Sequence, residues 1–204
     1  MGSSPIFTSR ASLPPAVLAI LWLDAVLVAA GALSFAGKPP LLAVALPGWT
    51  GLAFIGAGLT AATAALAAFM IATAGRTAWA WLPVPAVALW LTASGLDCME
   101  LGDREDVWGA RLAEARLCVG FLVAAAAPLL ALIVFMLRRT APQRLLLAMV
   151  LGGLASAGAA ASLLALVNPH PASFHDIGVH ALALVTILVL SAAAAHLPLR
   201  MERA

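Results

Sequence analysis

Charge is what this sequence has least of. Only 10% of its 204 residues are Asp, Glu, Lys or Arg, against roughly 25% in soluble domains. A water-facing surface cannot be built at that density, so the chain belongs to the membrane class. Long polar segments are missing too. Six apolar stretches, each of the roughly 18 residues or more that a bilayer crossing needs, lie near 15 to 35, 50 to 73, 79 to 97, 117 to 137, 144 to 167 and 177 to 197. Together they take up nearly the whole chain, which excludes a separate catalytic head. Cysteine is scarce, with two residues and no CxxC pair, and the four histidines include no HxxxH. The spacings that announce a ready-made metal site are therefore absent. There is also no nucleophile and base arrangement, no phosphate loop and no nucleic-acid surface, which argues against an enzyme.

What charge there is sets the topology, because the Lys and Arg of short loops favour the cytoplasm. With the N-terminus inside, Arg10, Arg76, Arg138, Arg139, Arg144, Arg200 and Arg203 fall on the inner side and only Lys38, Arg104, Arg111 and Arg116 on the outer. The outer side also collects Asp97, Glu100, Asp103, Glu105, Asp106, Glu114 and Asp176. The expected fold is an all-α polytopic membrane protein with six transmembrane helices and both termini cytoplasmic. It forms a single domain over residues 1–204, with a short cytoplasmic tail 1–13 and an outer loop 98–116. The first apolar run follows Arg10 but is too long for a signal-peptide core and lacks a cleavage site, so it reads as a retained span.

Within the spans, Pro14 and Pro15 suit the start of the first helix, where a missing amide proton is harmless. Asp24 falls near the middle of that helix. A carboxylate there is expensive in hydrocarbon, so it is expected to face the bundle interior, to be protonated or to find a partner. It is either a proton or ligand site or a satisfied interior polar group. The loop over 36–48, with Pro39, Pro40 and Pro47, reads as interfacial. The second and fifth spans carry Gly51, Gly56, Gly58 and Gly152, Gly153, Ser156, Gly158. Small residues allow close backbone approach, which marks both as central helices. Trp79 and Trp81 after the Gly75–Arg76 turn fit an aromatic belt, and Pro128 is expected to kink the fourth span.

The chemistry gathers on the outer face. Cys98 ends the third span and Cys118 begins the fourth, while the last outer loop, NPHPASFHDIGVH, brings His170, His175, Asp176 and His180 to the same level. Two thiolates and two imidazoles make a full tetrahedral set for zinc and also suit reduced copper. Cys98, Cys118, His170 and His180 are thus candidate metal ligands, with His175 as a possible addition. A Cys98–Cys118 disulfide competes with that reading in an oxidising envelope, and so do cysteines packed as small apolar residues. Between them, VWGARLAEAR has helical spacing, with Trp108 placed to anchor an amphipathic lid on the headgroups or a solvated cap.

The segments LPPAVLAILWL, AFMIATAGRTAWAWLPVPAVALWLTASGLDC, CVGFLVAAAAPLLALIVFMLRRTAP and NPHPASFHDIGVH together resemble the NrsF family of six-span bacterial membrane anti-sigma factors. The resemblance covers most of the chain after about residue 13, and is most specific at GLDC, at the Cys118 segment ending in LRRTAP and at the histidine loop. It implies a protein of the bacterial inner membrane that holds an extracytoplasmic-function (ECF) sigma factor and frees it on a metal or oxidative signal. Cys98 and Cys118 match cysteine positions of the family, and His170 and His180 its histidine-containing loop. Some members instead carry a cysteine near Asn168, which this chain lacks. Its cytoplasmic arm of 13 residues is also shorter than is usual there. Sigma binding would then fall on that arm, on the inner loops with Arg76, Arg138, Arg139 and Arg144, and on the C-terminal LRMERA. Two alternatives stand beside this. One is a metal-binding membrane protein or small transport subunit, with Asp24 on its polar path; the other is a structural subunit whose cysteines staple a loop.

Overall fold

The computed structural model describes residues 13–36, 48–101, 108–140, 144–167 and 174–196. These form α1 (Pro15–Ala36), α2 (Gly48–Ala74), a 3-10 turn (Thr77–Trp81), α3 (Val84–Leu101), α4 (Trp108–Arg139), α5 (Leu145–Val167) and α6 (Phe174–His196). Five helical segments are long and apolar enough to cross a bilayer: Pro15–Phe35, Gly48–Ala74, Thr77–Asp97, Cys118–Arg139 and Leu145–Val167. The sixth helix, α6, has 23 residues, and among the described residues Ala181–His196 is its apolar stretch.

The outside of the bundle is as apolar as its inside. Ile20, Val28, Leu91, Phe135, Leu182 and Val189 are all exposed, a surface that water would not tolerate and that lipid satisfies. Inside, α2 and α5 form the central pair, as their small residues predict. Gly158 marks their closest approach: a Cβ there would stand 2.8 Å from the Ala57 carbonyl oxygen and 3.0 Å from the Ala61 amide nitrogen. Gly56 does the same for α3, since its Cβ would meet the Trp90 backbone at 2.7 Å. The hydroxyls buried at these contacts turn back onto their own helices. Thr60, Ser156 and Ser162 donate to the carbonyls of Gly56, Gly152 and Gly158 at 2.8, 2.9 and 3.0 Å, so no polar group is stranded in the seam.

The remaining helices are hung on this pair. α1 begins where Pro14 offers its carbonyl to the Val17 and Leu18 amides, at 2.9 and 3.2 Å. It is clipped to α4 by Trp22, fully buried, whose indole N–H donates to the Leu129 carbonyl at 3.0 Å. An indole N–H in hydrocarbon needs such an acceptor. α2 stops at Gly75, whose φ of 66° is the left-handed conformation that ends helices at little steric cost.

Successive helices run antiparallel, which sorts their ends. The start of α2 lies beside the ends of α3 and α5, through Thr50 with Asp97 and Gly58 with Ser162. The start of α5 lies beside the ends of α4 and α6, through Gly152 with Ile133 and Leu137 and Gly153 with Ser191. Arg76, Arg138, Arg139 and Arg144 therefore share one end of the bundle, and Asp97, Cys98, Cys118 and the start of α6 the other.

Two expectations change. Asp24 does not face the interior: it is exposed on α1. α1 turns Leu18, Ala19 and Trp22 into the bundle, and two residues past Trp22 the helix has rotated about 200°, to the opposite side. The loop expected over 98–116 is helical at both ends, with α3 reaching Leu101 and α4 starting at Trp108. The stretch from Trp108 is the first turns of one continuous helix, because its helical spacing runs unbroken into the apolar span.

Candidate functional site

At the first end, Asp97 closes the apolar part of α3 and is only 6% exposed. Thr50, in the first turn of α2, donates its hydroxyl to Asp97 Oδ1 at 2.8 Å. First-turn amides have no intrahelical acceptors and carry the positive end of the helix dipole, so a carboxylate is well placed there. The sequence places Asp97 among the acids of the outer side; the structure buries it at that end of the bundle.

Cys118 is half-buried on α4. The side chains of Cys98, His175 and His180, and all of His170, lie outside the described residues. The backbone brings Cys98 to the last turn of α3 and His175 and His180 to the first two turns of α6. α3 packs chiefly on α2 and meets α6 briefly, while α4 packs along both α5 and α6. α2 and α6 are thus elements that both cysteine-bearing helices touch. Among the described residues no metal-holding cluster of three His, Cys, Asp or Glu occurs.

At the opposite end the four arginines differ. Arg138 is part of the bundle, for its guanidinium donates to the carbonyl of Ala194 in the last turn of α6, one of the orphan acceptors that a basic side chain satisfies well. Its Nε is buried with no hydrogen-bond partner among the described residues. Arg139 is exposed and stacks over the Phe135 ring, 4.2 Å from the centroid. Arg76 and Arg144 are exposed. Beside Arg76 lies a groove of about 500 Å³, lined by Arg76, Ala78, Trp79, Trp81, Leu82 and Pro85. Trp81 is 74% exposed on its rim, while Trp79 packs inward against the core.

Fold and site together define an all-helical, membrane-type bundle with polar chemistry at its two ends, a buried carboxylate latch at one and projecting arginines and a tryptophan at the other. The chain belongs to the NrsF family, described as negative regulator of sigma F, whose family model matches residues 7–201, nearly its whole length. That makes it a member of a family of negative regulators of a sigma factor, and a regulator family implies a non-enzyme. No curated protein and no solved structure is significantly similar to it.

Proposed function

We propose that the chain is an inner-membrane anti-sigma factor that holds an ECF sigma factor at its arginine end and releases it when a metal or redox signal reaches the other end. The observation that carries this reading is the division of chemistry between the two ends, in a chain of a sigma-regulator family. With the arginine end in the cytoplasm, as the excess of basic residues favours, the sigma factor meets Arg76, Arg139 and Arg144 beside Trp81 and its groove. Arg and Trp are the residue types that most often dominate interface energy. Arg138, bound to α6, holds the platform in place.

On the envelope side the sensing set is Cys98, Cys118, His170 and His180, with His175 as a further donor. It takes zinc or reduced copper as thiolate and imidazole chemistry directs, or the two cysteines close a disulfide. Either event acts on the last turn of α3, where Asp97 neighbours Cys98 and is bonded to Thr50 of α2. α2 ends at Ala74, two residues before Arg76, with the Gly75 turn between them. The paired helices α2 and α3 are then the two-state element that both ends bias.

The test is retention of a co-expressed ECF sigma factor by the full chain in membranes. Wild type retains it, and the double variant Arg76→Ala with Trp81→Ala weakens retention about 100-fold, the size of two modest hot spots. A chain that retains no sigma factor under any condition contradicts the proposal. Unchanged retention in the double variant moves the docking surface elsewhere and leaves Trp81 as a headgroup anchor.

A further inference from the structure

Asp24 is used by neither end of the bundle. It is the tenth residue of α1, about 14 Å along the helix from Pro15, and so near the middle of a hydrocarbon layer roughly 30 Å thick. Its side chain is exposed on the outer face of α1. Acidic residues at that depth almost always pair with another polar group, because lipid offers none.

The face around it has a pattern. Val17, Leu21, Asp24, Val28, Gly31 and Phe35 follow at spacings of four, three, four, three and four residues. That spacing lines them up along one face of the helix, as residues of a helix–helix seam are lined up. Val17, Leu21, Val28 and Phe35 are all exposed, Phe35 at 95%, and a Cβ at Gly31 would have nothing within 4 Å. α1 thus presents a complete, uncovered seam with one polar residue at its centre. In coiled coils a single polar residue in the seam fixes register and oligomeric state.

The chain itself limits what can cover that seam. Its described basic residues stand in the end turns of helices or beside them, Arg76, Arg138, Arg139, Arg144 and His196 among them, so none of these described cations of a second copy lies at the depth of Asp24. What a second copy does offer at that depth is its own Asp24. Two-fold pairing brings identical positions together, and a carboxyl group that keeps its proton is self-complementary, donating through O–H and accepting through its carbonyl oxygen.

We propose that α1 is the interface of a two-fold dimer within the membrane, in which Asp24 of each copy hydrogen-bonds to its equivalent and Val17, Leu21, Val28 and Phe35 pack the seam. The interface leaves α2, α5 and both polar ends untouched, so it stands independently of sigma binding.

Two differently tagged copies of the full chain, co-reconstituted in phosphatidylethanolamine and phosphatidylglycerol vesicles, provide the test. Pull-down on one tag recovers the other from wild type, and Asp24→Leu lowers recovery about tenfold, within the range of one buried transmembrane hydrogen bond and its packing. Asp24→Asn, whose amide both donates and accepts, keeps it. Thermal unfolding of Asp24→Leu in detergent separates a lost interface from a lost fold: the melting temperature stays at or above that of wild type. Leu21→Cys and Val28→Cys form oxidant-induced dimers beyond the level given by the native cysteines, and Val26→Cys on the inward side does not. Absence of wild-type co-recovery overturns the proposal, as does undiminished recovery with Asp24→Leu. Loss with Asn as complete as with Leu overturns it in favour of a cationic helix of another protein as the occupant.

Discussion

The two ends of this bundle spend their charge differently. At one end the carboxylate of Asp97 is buried and committed to Thr50 on the neighbouring helix. At the other, Arg76, Arg139 and Arg144 project outward and only Arg138 is tied to a helix. A charge held between two helices reports on their relative position; a charge that projects is available to a partner. That contrast is why the first end reads as the place where a signal is felt and the second as the place where a protein is held.

The largest way to break the contrast is to part the helices that join the ends. Gly158→Leu would drive a side chain into the backbone of α2 at Ala57 and Ala61. Such overpacking is expected to cost about 3 kcal/mol or more, read as loss of the folded chain in thermal unfolding in detergent. Gly158→Ala falls in the same direction with a smaller shift. Next comes the docking end: Trp81→Ala alone is expected to weaken sigma retention by about 2 kcal/mol, roughly 30-fold in a membrane pull-down, without lowering the melting temperature.

Thr50→Val should act in the opposite sense, on the bundle and its response but not on docking. It removes the hydroxyl that Asp97 accepts from and leaves a buried carboxylate short of one donor, a loss of about 1–3 kcal/mol. Melting temperature and the signal concentration for half-release are both expected to move. The smallest effect is expected from Arg139→Ala, which gives up an exposed stacking contact with Phe135 worth about 0.5–1 kcal/mol. A melting shift near the resolution of the experiment, with a modest drop in sigma retention, is the expected outcome.

Much of this arrangement is legible in the sequence. The spans follow from uninterrupted apolar runs, and the central position of α2 and α5 follows from their glycines and alanines, because in lipid only small residues let backbones approach. The orientation of Asp24 does not follow. α1 is apolar nearly all round, so the sequence carries no phase to tell inward from outward, and only Trp22 reaching Leu129 fixes the rotation. The different surroundings of Arg138 and Arg139 do not follow from the sequence either. Arg138 and Arg139 are neighbours in sequence but about 100° apart on a helix, which sends one to the α6 carbonyl and the other to solvent. The Thr50–Asp97 bond depends on the level at which two helices cross, a quantity set by Gly56 against Trp90 and not by either residue's local context.

The most direct test of the account is sigma retention measured with and without an envelope signal, in wild type and in the Cys98→Ser, Cys118→Ser double variant. Membranes holding the full chain and a bound ECF sigma factor are exposed from the periplasmic side to zinc, to copper with reductant, or to oxidant. The account predicts that wild type releases the sigma factor with at least one of these, about tenfold or more, while the double variant binds equally well and does not release. Release by the double variant at the same concentration as wild type would contradict the assignment of sensing to that end of the bundle.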